Sequence, residues 1–141
     1  MNTEIKSKTI RILAALPGID AHDKGMVVIC NALRNSGAEV IYLGKFNTPE
    51  KIVRSAIEED VDVIALSYLS DHLYMMFFPR VVELLKENNA NDICVIVGGR
   101  ISEEDKPALL SLGITGLFNQ GTPLKEIVSH VYERVASKVS G

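Results

Sequence analysis

Four short stretches of this 141-residue chain carry side chains able to do chemistry. Asp20-Ala21-His22-Asp23-Lys24-Gly25 sets an imidazole two residues after a carboxylate. Histidine serves as a base or as a metal ligand. A carboxylate at that spacing can accept its second ring N–H, which fixes the tautomer and raises the basicity of the other nitrogen. The plain alternative is a surface turn at a helix start, where Asp and Asn are frequent. Ser67-Tyr68-Leu69-Ser70-Asp71-His72 offers small hydroxyls that bond a ligand or simply form a loop. Gly98-Gly99 lets something large approach the backbone, or is only a turn. Asn119-Gln120-Gly121-Thr122 reads as a contact to a polar tail or phosphate at a helix start, or as an ordinary cap.

The elements that must position these stretches alternate along the chain. Apolar runs at 10–16, 39–44, 62–67, 93–97 and 116–118 read as strands. Between them lie stretches of helical period. The first runs from Lys24 to Ser36 and stops at Gly37. The second opens at Thr48-Pro49-Glu50, with a capping hydroxyl and a proline at the first helical position. The third begins near His72 or Tyr74 and reaches Asn88, with Pro79 expected to kink it or delay its start. The fourth starts at Ser102-Glu103-Glu104-Asp105 and ends by Gly113, and the fifth is capped by Thr122-Pro123 and runs to about Ser137.

Strict alternation with continuous apolar strands predicts an α/β fold with a parallel sheet covered on both faces. Five such strands most often take the flavodoxin-like, Rossmann-like doubly wound order 2-1-3-4-5, with ligands bound outside the carboxyl ends of the strands. All four chemical stretches fall on that one edge. No linker or repeat divides the chain, so a single domain over residues 1–141 is expected, with its core at about 9–135.

Composition narrows the function classes. With 47% hydrophobic and 23% charged residues the chain is an ordinary globular one, not a disordered chain or a coiled coil. A net charge of −3 advertises no nucleic-acid or anionic-membrane partner. No apolar run approaches the ~20 residues of a membrane span, and Met1 to Lys8 is polar without an export-type apolar segment. Cys30 and Cys94 each sit in apolar runs and read as packed thiols of a cytoplasmic protein.

Asp20-x-His22-x-x-Gly25, then Ser67-x-Leu69, then Gly98-Gly99 resembles the three-part signature of the cobalamin-binding domain. The flanks are similar as well: Asp20 to Gly25, Val40 to Asp60 with Phe46-Asn47-Thr48-Pro49-Glu50, and Val97-Gly98-Gly99 look like the cobalamin domain of methylmalonyl-CoA mutase and its relatives. The resemblance covers about residues 9–135. It implies a cofactor, adenosylcobalamin, held base-off with His22 as the lower cobalt ligand in place of the cofactor's dimethylbenzimidazole. Asp20 would tune His22 through its other nitrogen. Asp23 and Gly25 would lie along the displaced tail, and Ser67 and Leu69 would line the slot for its base. Gly98 and Gly99 would give it room, and Gly121-Thr122 would close over its far end. The implied role is the small subunit of an acyl-CoA mutase of the methylmalonyl, isobutyryl or 2-hydroxyisobutyryl type. The substrate and its binding barrel would then belong to a separate large subunit, and this chain would not turn over substrate alone. The alternative is a stand-alone corrinoid carrier or delivery protein.

Four positions depart from the family pattern. Ala21 replaces a glycine, and Leu16 stands where many members have a lysine near the His-Asp pair. Asp71-His72 and Tyr74-Met75-Met76-Phe77-Phe78 replace a glycine-containing segment, and Gln120-Gly121-Thr122 replaces Pro-Gly-Thr. The Met75 to Phe78 run reads as a subunit contact or as a helix packed on the sheet, and His130 reads as solvated. Other readings of the same fold class fare worse. A receiver domain needs an aspartate ending strand three and a lysine after strand five, where this chain has Ser67 and Asn119. A flavodoxin needs a hydroxyl-rich phosphate loop, which 17–25 is not. A zinc site from Asp20, His22 and His72 has no motif spacing behind it. Corrinoid methyltransferases and cobalamin-dependent regulators carry a helical cap before this domain, and a first strand near residue 10 leaves no room for one, so the mutase branch is expected.

Overall fold

Each apolar run becomes a strand and each amphipathic stretch a helix. The computed structural model describes residues 9–71 and 73–140, with side chains through residue 137, so His72 lies outside the described residues. The chain runs β1 (Arg11–Ala15), α1 (Lys24–Asn35), β2 (Glu39–Tyr42), α2 (Pro49–Glu58), β3 (Val63–Tyr68), α3 (Tyr74–Glu87), β4 (Cys94–Gly99), α4 (Lys106–Ser111), β5 (Gly116–Asn119) and α5 (Leu124–Ser140). All neighbouring strands are parallel, in the flavodoxin-like order β2-β1-β3-β4-β5.

Side chains two apart along a strand share a face, and that period divides the core in two. Leu13, Ala15, Ile64, Leu66, Val95 and Val97 meet α2, α3 and α4. Ile12, Ala14, Val63, Ala65, Cys94 and Ile96 meet α1 and α5. Both cysteines are buried free thiols, as their apolar settings predict.

Several local expectations hold and several shift. Thr48 caps α2 by accepting from Lys51 N–H at 3.1 Å. Pro79 sits inside α3 without ending it. A mid-helix proline costs about 3 kcal/mol, and α3 buries Tyr74, Phe78, Val81, Val82, Leu84 and Leu85 at roughly 1.5–3 kcal/mol for each large side chain. Packing wins. The segment from Ser102 to Asp105 is a turn rather than the first turn of α4. Tyr74 Oη donates to Asp105 Oδ2 at 2.6 Å and accepts from Ser102 N–H at 3.0 Å, so side chains capture groups a helix would use. Thr122 donates its hydroxyl back to the Asn119 carbonyl at 2.8 Å, which fixes the turn after β5. His130 is half-buried rather than solvated, with its ring edge-on to Phe118 at 5.4 Å. Burial pushes its imidazole below its ordinary value, and Arg134 adds to that shift.

Gly99 shows how tightly the central strands approach. Its φ is +145°, and a Cβ there would fall 2.1 Å from the Tyr68 carbonyl oxygen on β3. Gly99→Ala is expected to destabilise the fold by about 3 kcal/mol or more, since backbone strain and a backbone clash add. Urea denaturation at neutral pH measures it.

Candidate cofactor-binding site

The loop after β1 is braced before it reaches its chemistry. Asn47, in the loop after β2, accepts from Gly18 N–H at 2.9 Å and donates its own N–H to the Leu16 carbonyl at 3.1 Å. Its buried side chain donates to the Gly44 carbonyl at 2.8 Å. Leu16 is wholly buried in the core on the α1 face. Asp20 follows, fully shielded from solvent.

Four donors converge on the Asp20 carboxylate. Oδ1 accepts from His22 N–H at 3.1 Å and from Ser70 Oγ at 2.9 Å, and lies 2.5 Å from His22 Nδ1. Oδ2 accepts from Leu69 N–H at 2.7 Å. Burial alone would raise the carboxyl. The hydrogen bonds from the His22 side chain, the Leu69 and His22 backbones and Ser70 outweigh it and hold Asp20 below its ordinary value of 3.8. An ionised Asp20 favours the His22 tautomer whose ring proton sits on Nδ1. Nε2 then keeps its lone pair, and it has no partner among the described residues. The His22 side chain remains 60% exposed, so this nitrogen is available to a ligand.

Beside His22 a cleft of about 650 Å³ opens on the α1/α5 face of the sheet, within the usual range for small-molecule sites. Its shape follows from the register. Ser67, Gly98 and Phe118 stand in one cross-strand row, with Ala65, Ile96 and Gly116 in the row beneath. Small residues in the central strands leave depth there. The two covering helices are pinned at the far end, where Tyr132 Oη donates to the Ser36 carbonyl at 3.0 Å. At the near end Met26 and Ile29 of α1 face Leu124 and Ile127 of α5 across the opening.

His22, Asp23, Gly25, Ser67, Leu69, Gly98, Gly99, Gly121 and Thr122, all singled out by sequence, line this one cleft. Asp20 does not line it and acts only behind His22. Asp23 also stands 4.0 Å from Lys45 Nζ. The Ser67 hydroxyl meets no partner among the described residues, and a Cβ at Gly25 or Gly121 would meet nothing within 4 Å. Gly121, at φ +89°, lies in the left-handed region that favours glycine, whereas neither packing nor a left-handed φ calls for Gly25, whose side of the cleft is open. Among the described residues, no three His, Cys, Asp or Glu side chains gather to hold a bare metal ion. A lone imidazole nitrogen suits a metal that brings its other ligands with it.

The profile of the B12 binding domain family matches residues 10–128. The chain belongs to that family. Cobalamin is therefore its cofactor, and the cleft, the single imidazole donor and the unfilled glycine positions fit such a group. The 2-hydroxyisobutanoyl-CoA mutase small subunit of Aquincola tertiaricarbonis is 42% identical over 92% of this chain and 94% of its own length. The pivalyl-CoA mutase small subunit of Xanthobacter autotrophicus is 36% identical over 89% of this chain and 83% of its own. This B12-binding chain thus groups with the small, cofactor-binding subunits of acyl-CoA mutases, which are isomerases. Methylmalonyl-CoA mutase of Escherichia coli is 37% identical over 89% of this chain but only 18% of its own length.

Among solved structures, a cobalamin-binding protein from Desulfitobacterium hafniense superimposes with a TM-score of 0.78 at 24% identity, over 90% of this chain and 60% of the other. The receiver domain of NarL from Mycobacterium tuberculosis does so with 0.71 at 18% identity, over 92% and 98%. Both show the fold alone. The receiver chemistry is absent here, since β3 ends in Ser67-Tyr68 and β5 in Asn119. Among the described residues, no helix is long and apolar enough to cross a membrane.

Sequence reasoning gave Ser70 no role of its own, and its bond to Asp20 spans 50 positions that no local pattern reveals. Met26, Ile29, Phe118 and Ile127 were equally silent, because an apolar wall of a cleft looks like core. Asp20→Asn replaces an acceptor by an amide whose NH2 faces donors, and is expected to cost about 1–3 kcal/mol at pH 7. A carboxyl held below its unfolded value contributes stability that is present above that value and lost as pH falls through the folded one. The difference between Asp20→Asn and the wild type should therefore shrink below pH 3.8, as urea titrations at neutral and acid pH will show.

Proposed function

We propose that this chain holds adenosylcobalamin base-off, with His22 Nε2 as the lower cobalt ligand and the displaced base and its tail in the cleft between α1 and α5. The observation that supports the reading is the Asp20–His22 pair at the mouth of that cleft: Nδ1 is engaged at 2.5 Å, and Nε2 has no partner among the described residues. When bound, the cofactor supplies a carbon radical by homolysis of its cobalt–carbon bond. The protein's part is to bind and orient. Asp20 keeps the proton on Nδ1 and so keeps Nε2 a donor. Ser67 offers an unused hydroxyl to the base, and Leu69 an apolar edge. Gly25, Gly98 and Gly99 leave the tail its path, and Gly121 and Thr122 bound its far end beside Asp23 and the start of α1.

The acyl-CoA substrate and the barrel that binds it reside on a separate large subunit. Two relatives matched over most of their length are named as small subunits, and the methylmalonyl-CoA mutase has more than four fifths of its chain outside the match. The substrate is then an acyl-CoA chosen by that subunit, in the cytoplasm.

Copurification of the tagged chain with added adenosylcobalamin tests the partner. A stoichiometric protein of barrel-subunit size supports a mutase subunit, and bound cofactor without one returns the carrier reading. With 15N-labelled histidine, His22→Ala should abolish the histidine part of the nitrogen splitting in the electron paramagnetic resonance spectrum of bound cob(II)alamin and weaken binding about tenfold or more. Gly25→Leu tests the tail path separately. The side chain meets nothing in the protein and replaces a helical glycine, so stability should hold or rise by up to about 1 kcal/mol. Cobalamin affinity should fall at least tenfold by equilibrium titration, and an unchanged affinity would contradict the assigned path.

A further inference from the structure

A second cleft, of about 380 Å³, opens at the same edge of the sheet between the loops that follow β3 and β4. It begins at Leu69 and Ser70, and Ser70 Oγ stands 3.4 Å from His22 Nδ1, so it borders the ground the cofactor must cover. Several of its polar groups are already engaged. Tyr74 Oη donates to Asp105 Oδ2 at 2.6 Å and accepts from Ser102 N–H at 3.0 Å, and Ser70 Oγ donates to Asp20 at 2.9 Å. Two groups of opposite charge keep unused atoms. Asp71 accepts from Tyr68 Oη and from Leu73 N–H, each at 2.9 Å and both through Oδ1, so Oδ2 has no hydrogen-bond partner among the described residues. Burial first, and then the bond to Asp71, push the Tyr68 phenol up to about 12, so it stays a donor and fixes the carboxylate. Arg100 is held by its Nε, which donates to Gln120 Oε1 at 3.2 Å, and its terminal N–H groups have no partner among the described residues. Asp71 and Arg100 line one cleft and yet stand beyond ion-pair range of each other.

We infer that this cleft takes a primary carboxamide from the rim of the corrin ring, and that Asp71 makes the site selective for the amide. An acceptor and a donor that face each other across a gap match the two ends of an amide. Its NH2 donates to Asp71 Oδ2, and its carbonyl accepts from Arg100. The inference rests on the reading of His22 as the lower ligand, which brings the lower face of the corrin, with its propionamides, onto the loop after β3. A carboxylate in place of that amide is rejected. It has no proton to give Asp71, and it meets the charges of Asp71, Glu104 and Asp105 against one arginine. Asp71 lies in the segment where this chain departs from the family pattern, so the selectivity belongs to this chain.

The probes are the cobalamin monocarboxylic acids, in which partial acid hydrolysis has turned one lower-face propionamide into a carboxylate. Equilibrium titration of the full chain at neutral pH compares each acid with unmodified cobalamin, in wild type, Asp71→Asn and Arg100→Met. Both side chains are exposed, so neither substitution disturbs the core. Wild type should bind one of the acids about tenfold or more weakly than cobalamin. Asp71→Asn keeps an oxygen for Tyr68 and Leu73 and turns its NH2 to the cleft, so the disadvantage of that acid should shrink about tenfold. Arg100→Met removes the one attraction the acid had, so the same disadvantage should widen. A loss of structure alone would move both variants the same way. Equal affinities for cobalamin and every acid in wild type overturn the inference, and so does a ratio that Asp71→Asn leaves unchanged. Where Asp71→Asn fails to fold, the ratio in Arg100→Met decides. Nitrogen splitting from 15N-labelled histidine is read on the wild-type complex alongside. If it is absent, the reading of His22 fails and this inference with it. If it is present while the affinities are equal, only the carboxamide site fails.

Discussion

A single buried carboxylate ties the loop after β1 to the loop after β3. Asp20 has no contact with solvent, and its charge is sustained only because backbone N–H groups of His22 and Leu69, the His22 ring and the Ser70 hydroxyl all point at it. An ionised carboxylate without those donors would not be buried. The consequence runs outward from there. The histidine ring is anchored through Nδ1, its Nε2, without a partner among the described residues, is set at the carboxyl edge of the sheet, and Leu69 is held at the lip of the cleft. Structure and chemistry share one set of hydrogen bonds, so a change at Asp20 disturbs both together.

The cleft is the second constraint, and it opposes the first kind of economy. A sheet packed to capacity under α1 and α5 would leave no room for a cofactor tail. Here Ala65, Ser67 and Gly98 hold back from filling the space, and Val28 and Leu124 stand partly exposed on opposite rims. The fold forgoes apolar burial on that face and keeps full packing on the other, where α2 and α3 cover Leu13, Ile64 and Leu66. A ligand that binds only the folded chain restores part of the loss.

Much of this was legible in the residues. The alternation of strands and helices, the strand order and the Thr48 cap follow from periods and propensities that act locally. The candidate site was legible because each of its stretches lies where a strand runs out, and parallel strands deliver all their carboxyl ends to one edge. What escaped was set by contacts between distant positions. Pro79 stays in α3 because of the side chains the helix buries, and Ser102 to Asp105 is drawn out of α4 by Tyr74. His130 is half-buried because Gly116 leaves its ring a place beside Phe118. The two adjacent glycines also differ in kind. Gly99 is required by the closeness of Tyr68, whereas Gly98 lies in the row that faces the cleft.

The central claim, that His22 replaces the cofactor's own base on cobalt, is open to a direct spectroscopic measurement. The chain would be prepared with 15N-labelled histidine, loaded with unlabelled cobalamin and reduced to the cobalt(II) state. A lower ligand from the protein predicts that each cobalt line, a triplet with natural nitrogen, becomes a doublet with the label. A triplet that survives labelling means that the nitrogen on cobalt belongs to the cofactor, and the account of this site is then wrong.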